Sequence, residues 1–212
     1  MSEEEDEEEF GPVLPSRTSY VPDAKSITLG THSKPLNALA LDSSGSRLLT
    51  GSMDQTVAFW DFAGMDSSCK PFRVITPEQG HAVNALQFSE SSDRFLSVTS
   101  SPQPIIFDRE GIQLETFVRG DMYLKDLKHT KGHVSGCTGG FWNPLDNEEI
   151  VTFGTDGTVR IWNVNKPMEN LFVIKSKSEK ALAKIPVSAC AMSFDGSTIA
   201  TGEGLMKLYD SS

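Results

Sequence analysis

The chain has 212 residues, with 29 acidic against 19 basic side chains and a formal charge of −10. Seven of the acids form one run, Glu3 to Glu9, so the remainder carries 22 acids against 19 bases and is close to neutral. That balance excludes a protein that grips DNA mainly by counterion release and a polybasic membrane anchor, and no stretch approaches the roughly 18 apolar residues of a membrane span.

Residues 1–25 read as an acidic, disordered tail and a linker. Seven like charges repel one another and cannot build a core, and Pro12, Pro15 and Pro22 keep the following stretch extended. Met1-Ser2-Glu3 is the opposite of a signal peptide, which starts basic and turns apolar. From residue 26 to 212 the pattern changes to short runs rich in Val, Ile, Leu, Thr and Phe, cut by Gly, Ser, Asp and Pro, which predicts strands and an all-β domain. The first runs are Leu36 to Leu41, a turn at Asp42-Ser43-Ser44-Gly45, and Leu48 to Ser52. Val83 to Phe88, Cys137 to Trp142 and Ala189 to Phe194 fill the slot of Leu36 to Leu41 further along. Cys69, Cys137 and Cys190 are odd in number and far apart, with no CxxC pair, which fits a reducing compartment and argues against a structural zinc site. No cofactor or metal site is expected.

The strands repeat. Four segments end in an aromatic followed by a short polar residue: Trp60-Asp61, Phe107-Asp108, Trp162-Asn163 and Tyr209-Asp210. Their spacings are 47, 55 and 47 residues. Histidines open three of the units, at His32, His81 and His133. A Gly-His mark, a variable middle and a Trp-Asp mark at near-constant period are the signature of a WD40 β-propeller, about four strands to a blade. About four blades are present, ending near Asp61, Asp108, Asn163 and Asp210. A ring of about seven blades needs more chain than this, so the expected form is an open arc of a larger ring. Ser26 to Leu29, joined to the Met206 to Asp210 strand, would instead close a tight ring of four.

Residue types at these marks predict a buried hydrogen-bonded chain in each well-preserved blade. In the first, His32 is expected to bridge Asp54 to Ser52, with Ser52 accepting from the Trp60 indole. The second retains His81 but has Ser101 for the aspartate and Phe107 for the tryptophan. The third has His133, Asp156 and Trp162, with Gly154 at the hydroxyl position. The fourth has Thr201, Glu203 and Tyr209. These sets tie loops down and are not read as hydrolytic triads, because the serine sits in a strand with no oxyanion hole. No catalytic residues are assigned.

Beyond the general pattern, several runs are distinctive: Val57-Ala58-Phe59-Trp60-Asp61-Phe62-Ala63-Gly64-Met65-Asp66, Gly120-Asp121-Met122-Tyr123, and Thr130-Lys131-Gly132-His133. With Asp108-Arg109-Glu110-Gly111 and Ile185-Pro186, they resemble the WD repeat-containing protein 70 (gastrulation-defective homologue) family, at the N-terminal part of its propeller. The resemblance implies a nuclear scaffold linked to the DNA damage response and to cullin-type ubiquitin ligases, with an adaptor, histones or chromatin proteins as partners and a cytoplasmic pool allowed. A scaffold in RNA processing or ribosome assembly is the alternative. The arginine that such ligase receptors often carry two residues after the aspartate mark is absent; Ala63, Glu110, Asn165 and Ser212 stand there.

Propellers bind through loops. The candidate partner face comprises Met53, Gln55, Gln103 and Thr155, with Arg119, Asp121, Tyr123, Lys125 and Lys131 from the longer third interval. Its mixed charge around one aromatic suits a protein partner more than a single nucleic-acid strand, which wants a basic groove with several stacking rings. The acidic tail is a candidate contact for basic histones, and Ser2 beside it is a candidate phosphorylation site.

Overall fold

Strand-forming runs with bulky side chains on both faces need a neighbour on both sides, and this chain meets the need by stacking sheets. The computed structural model describes residues 26–124, 126–176, 185–203 and 206–210. Blade one holds β1 (Leu36–Leu41), β2 (Arg47–Ser52), β3 (Val57–Asp61) and β4 (Arg73–Ile75). Blade two holds β5 (Val83–Phe88), β6 (Arg94–Thr99), β7 (Ile105–Asp108) and β8 (Gln113–Thr116). Blade three holds β9 (Cys137–Trp142), β10 (Glu149–Gly154), β11 (Thr158–Asn163) and β12 (Asn170–Lys175). Blade four holds β13 (Ala189–Met192), β14 (Thr198–Gly202) and β15 (Met206–Asp210).

Every sheet is an antiparallel meander in chain order. The four aromatic–polar marks close the third strand of each blade. In blades one to three an outer strand follows the mark, so the spatial blade runs past it. Among the described residues, 26–31 lie in no strand and blade four has three strands, so the four-bladed closure through Ser26 to Leu29 is not formed among them. The assembly is an open arc of WD40-type blades.

The core lies between blades. Ala38, Ala40, Leu49, Val57 and Phe59 of blade one pack on Val83, Leu86, Phe88, Phe95, Ile105 and Phe107 of blade two. Leu96, Val98 and Ile106 pack on Trp142, Ile150 and Trp162 of blade three. Val151, Phe153 and Val159 then pack on Val187 and Ile199 of blade four. The second and third strands are sandwiched in these layers, so β3 is buried on both faces through Val57, Ala58, Phe59 and Trp60. The outer strand β4 is half-exposed and needs no such pattern.

Side chains of the inner strands add a polar contact at each junction. Asn37 Nδ2 donates to the Val83 carbonyl at 3.3 Å, Asn84 Nδ2 to the Cys137 carbonyl at 2.7 Å, and Thr138 Oγ1 to the Val187 carbonyl at 2.6 Å. All three reach from one blade to the backbone that opens the next.

Candidate functional site

The marks that repeat in the sequence meet in space, with one exchange of partner. In blade one, Trp60 Nε1 donates to Thr50 Oγ1 at 3.0 Å, and Thr50 Oγ1 lies 2.8 Å from His32 Nε2. His32 Nδ1 lies 3.1 Å from Asp54 Oδ2. Blade three repeats the chain: Trp162 Nε1 to Thr152 Oγ1 at 2.8 Å, Thr152 to His133 Nε2 at 2.8 Å, and His133 Nδ1 to Asp156 Oδ2 at 3.0 Å. A proton order of indole to hydroxyl, hydroxyl to Nε2 and Nδ1–H to carboxylate satisfies every member.

The relay hydroxyls are therefore Thr50 and Thr152, not Ser52 and the Gly154 position. The cross-strand register explains the difference. Trp60 stands opposite Leu48, so its indole reaches the diagonal neighbour two residues on, which is Thr50. Ser52 is two residues further and out of reach. Its hydroxyl points instead to the Lys34 and Pro35 carbonyls, 3.0 Å from each, and accepts from the Asp54 N–H at 3.1 Å. In blade three Trp162 stands opposite Ile150, which selects Thr152 in the same way.

His81 does not join such a chain. Its Nδ1 lies 3.2 Å from Ser100 Oγ in an exposed contact. In blade two the relay position falls on Ser97, two residues past Phe95, which stands opposite Phe107. Phenylalanine has no N–H to give, and the buried Ser97 hydroxyl is left without a partner. Blade four builds a substitute around Glu203, which accepts from Thr201 Oγ1 and pairs with Lys207 Nζ, each at 3.0 Å, and also accepts from the Ser176 hydroxyl.

Burial opposes ionisation of Asp54, but hydrogen bonds from the Thr56 side chain, the Ser33 and Thr56 N–H groups and His32 outweigh it and lower its pKa to about 2. Burial likewise opposes ionisation of Asp156, and hydrogen bonds from His133, the Thr158 hydroxyl and the Val134 N–H bring it to about 2. These histidine–aspartate–hydroxyl sets have the members of a nucleophilic triad, but the hydroxyl is already engaged by an indole on one side and an imidazole on the other. In blade three the histidine, threonine and tryptophan are all fully buried, which leaves a substrate no approach. Among the described residues no group of three or more His, Cys, Asp or Glu side chains could hold a metal ion, and no helix is long and apolar enough to cross a membrane.

The longer third interval forms a loop closed at its neck. Gly120 N donates to the His133 carbonyl at 2.8 Å. The two neck strands approach so closely that a Cβ on Gly120 would sit 2.1 Å from the Gly132 carbonyl oxygen. Inside the loop, Leu127 and Thr130 are buried around Arg160, a fully buried arginine of β11. Arg160 Nη1 donates to the Thr130 carbonyl at 2.8 Å, and Nη2 to the Leu127 carbonyl at 2.9 Å and Thr130 Oγ1 at 2.6 Å. Asn170 Nδ2 donates to the Lys131 carbonyl at 2.9 Å, and Lys175 pairs with Asp126. The sequence reading missed Arg160; the signal was a charged residue inside Thr158-Val159-Arg160-Ile161-Trp162, where both faces of the strand are covered.

On this frame Met122, Tyr123 and Leu124 project into solvent, with Tyr123 87% exposed. Tyr123 N–H donates to Asp121 Oδ1 at 2.9 Å, fixing the tip. Arg119, Asp121 and Lys131 are exposed beside it, and Lys125 lies outside the described residues, as do residues 1–25. The loop rests against β11 and both ends of β12. Met53, Gln55 and Thr155 lie in the turns before β3 and β11, and Gln103 in the turn before β7. Gln103 Nε2 donates to the Phe117 carbonyl at 3.0 Å, and Gln55 Oε1 accepts from the Gly80 N–H at 2.8 Å. Gln55 holds a φ of +74°, a left-handed conformation that Gly157 takes in blade three.

Comparison with known proteins follows the same outline. The family model described as "WD domain, G-beta repeat" matches residues 24–61 and 124–163. Those are the two stretches with a complete Trp–Thr–His–Asp chain. The chain is 41% identical over 90% of its length to WD repeat-containing protein 70 of Xenopus tropicalis and 40% identical over 90% to that of Homo sapiens. It is 36% identical over 92% of its length to Gastrulation defective protein 1 homolog of Drosophila melanogaster. It spans 31%, 29% and 30% of those three relatives. The chain thus belongs to the WD40 repeat proteins, among the relatives named WD repeat-containing protein 70.

Proposed function

We propose that this chain is part of a non-catalytic scaffold whose rim loop, Met122 to Leu124, captures a protein partner. The observation that carries the reading is the pairing of a buried arginine with an exposed apolar tip. A loop that presents three adjacent hydrophobic side chains to water has no folding benefit from them, yet Arg160 and Asn170 hold it in one shape. A preorganised aromatic anchor loses little entropy on binding and is the type of residue that dominates interface energetics. WD40 domains generally mediate protein–protein contacts, which suits this surface.

The finer reading is a nuclear scaffold in the DNA damage response, joined to a cullin-type ubiquitin ligase or to chromatin proteins through this loop. It rests on the family resemblance together with the near-neutral, mixed-charge surroundings of the loop. The test is affinity capture from nuclear extract with the wild-type chain and with Met122→Ser/Tyr123→Ala. Loss of specific proteins at an unchanged unfolding midpoint supports the surface, and a ligase adaptor or histones among those lost supports the finer reading. Identical captured sets from both proteins would remove this loop from consideration.

A further inference from the structure

The outer strands β4, β8 and β12 each pair on one side only among the described residues, so each leaves a sheet edge open. An open edge is a row of unsatisfied N–H and C=O groups on which another chain can pair, and proteins guard it with short strands and charged side chains. Blades one and two are guarded in this way. β4 has three residues and β8 has four. Arg73 stands opposite Phe59, and Glu115 opposite Ile106, the residues just before the two aromatic marks. Both charged side chains are exposed although a complete blade follows each.

The edge of blade three is not guarded. β12 runs six residues, Asn170-Leu171-Phe172-Val173-Ile174-Lys175, with no charge before its last position. Phe172 stands opposite Ile161, in the place that Arg73 and Glu115 hold in the other blades. It is 60% exposed, and Leu171 beside it is 53% exposed. The same place is open in blades one and two, whose following blades are complete, so its exposure belongs to the outer rim of a blade. A groove of about 290 Å³ follows the strand, lined by Phe172, Val173, Ile174 and Lys175 together with Lys128 and Tyr209. Lys175 is paired with Asp126. Lys128 is exposed and in no ion pair among the described residues.

We propose that the free edge of β12 takes an extended segment of a partner protein as a fifth strand of blade three. The segment that fits has apolar side chains at alternate positions and a carboxylate beside Lys128. Main-chain hydrogen bonds supply the affinity of such a strand addition, and its alternate side chains supply the selectivity. A strand laid along Leu171 and Phe172 withdraws both from water and satisfies the open main-chain groups. The charge requirement follows from Lys128, the one ammonium of the groove that no carboxylate of the described chain already neutralises. This surface is separate from the Met122 to Leu124 tip, and the two readings stand or fall apart.

The probe is a phage-displayed library of short random peptides, selected on the 212-residue protein and depleted on Phe172→Arg. That variant copies Arg73 of blade one, so its circular dichroism should match wild type. Enriched peptides are expected to alternate apolar positions around an aspartate or glutamate. A synthetic copy of the commonest should bind Phe172→Arg about tenfold more weakly, the scale for losing part of one buried aromatic contact. Methylating alternate amide nitrogens of that peptide should abolish binding, because it removes the donors a strand needs. Lys128→Glu should reverse the preference, favouring the peptide with lysine in place of its acid, and decides the question even if Phe172→Arg fails to fold. Met122→Ser/Tyr123→Ala should leave binding unchanged. Absence of enrichment, enriched peptides without an acid, undiminished binding of the methylated peptide, or an unaltered preference with Lys128→Glu would overturn the proposal. So would binding lost with Met122→Ser/Tyr123→Ala, which places the peptide on the tip. A wild-type dimer in light scattering that Phe172→Arg dissociates would overturn it in favour of a second copy as the occupant.

Discussion

Arg160 gives Thr130 two hydrogen bonds, one to its carbonyl oxygen at 2.8 Å and one to its hydroxyl at 2.6 Å, in a site closed to solvent. A guanidinium is suited to this because its donors form a rigid planar fork. Burial lowers the Arg160 pKa from its ordinary value, and the nearby Asp156 carboxylate acts in the opposite direction.

Arg160→Met should remove the three charge-assisted hydrogen bonds to the loop, leaving the Leu127 carbonyl to the Thr130 hydroxyl and the Thr130 carbonyl to Asn170 Nδ2, and cost about 2–3 kcal/mol, the scale for hydrogen bonds to a buried charged group. The rim loop should then open, with faster proteolysis near Tyr123 at temperatures where the blades remain folded. Arg160→Lys should rescue little, since one ammonium cannot span the three acceptor atoms.

Asp54 and Asp156 predict acid sensitivity with a defined sign. Both carboxyls sit at about 2 in the folded chain against 3.8 for a free aspartate. Their contribution is complete above the unfolded value and is lost as pH falls from about 4 to about 2, since folded pKa values below the unfolded ones favour folding only while the groups are charged. For Asp156 the difference corresponds to roughly 2 kcal/mol. Urea midpoints measured from pH 6 to pH 2 should fall through that window, and Asp156→Asn should flatten the fall while lowering the plateau.

Thr152→Val keeps shape but removes the hydroxyl between His133 and Trp162. Both ring nitrogens then lose a partner in a fully buried site, for an expected loss of about 2–3 kcal/mol. Ser52→Ala, in the residue first expected to be the relay, should cost about 1 kcal/mol. Denaturant midpoints of the two variants decide which hydroxyl is the relay.

Ser97→Ala should be neutral or stabilising by up to about 1 kcal/mol, because it removes a buried hydroxyl that has no partner. A clear loss of stability would show that this hydroxyl is satisfied in solution.

The repeat and the blade count were legible because the aromatic–aspartate marks recur at fixed spacing and the strands carry turn chemistry between them. The relay hydroxyl was misplaced because sequence distance alone does not give cross-strand register. Ser52 and Thr50 lie on the same face of β2, and only the pairing of Trp60 with Leu48 separates them. His81 was read as a network member from its spacing, but its neighbours are the Ser100 hydroxyl at 3.2 Å and the Glu78 carboxylate at 3.9 Å in a partly exposed site, and Phe107 had already removed the indole end of the chain. Arg160 was overlooked because a lone charge in a strand normally marks a solvent face; here the loop folds back to meet it.

The inner-strand amides and hydroxyl of Asn37, Asn84 and Thr138 all address main-chain oxygens of the following sheet. A peptide oxygen is present whatever residue supplies it, so the rung between consecutive sheets places no demand on the identity of the side chain across from it. Angular pitch is thereby uncoupled from composition. A module can therefore differ at its aromatic mark, as blade two does with Phe107 in place of a tryptophan, without the next module losing its place in the rotation.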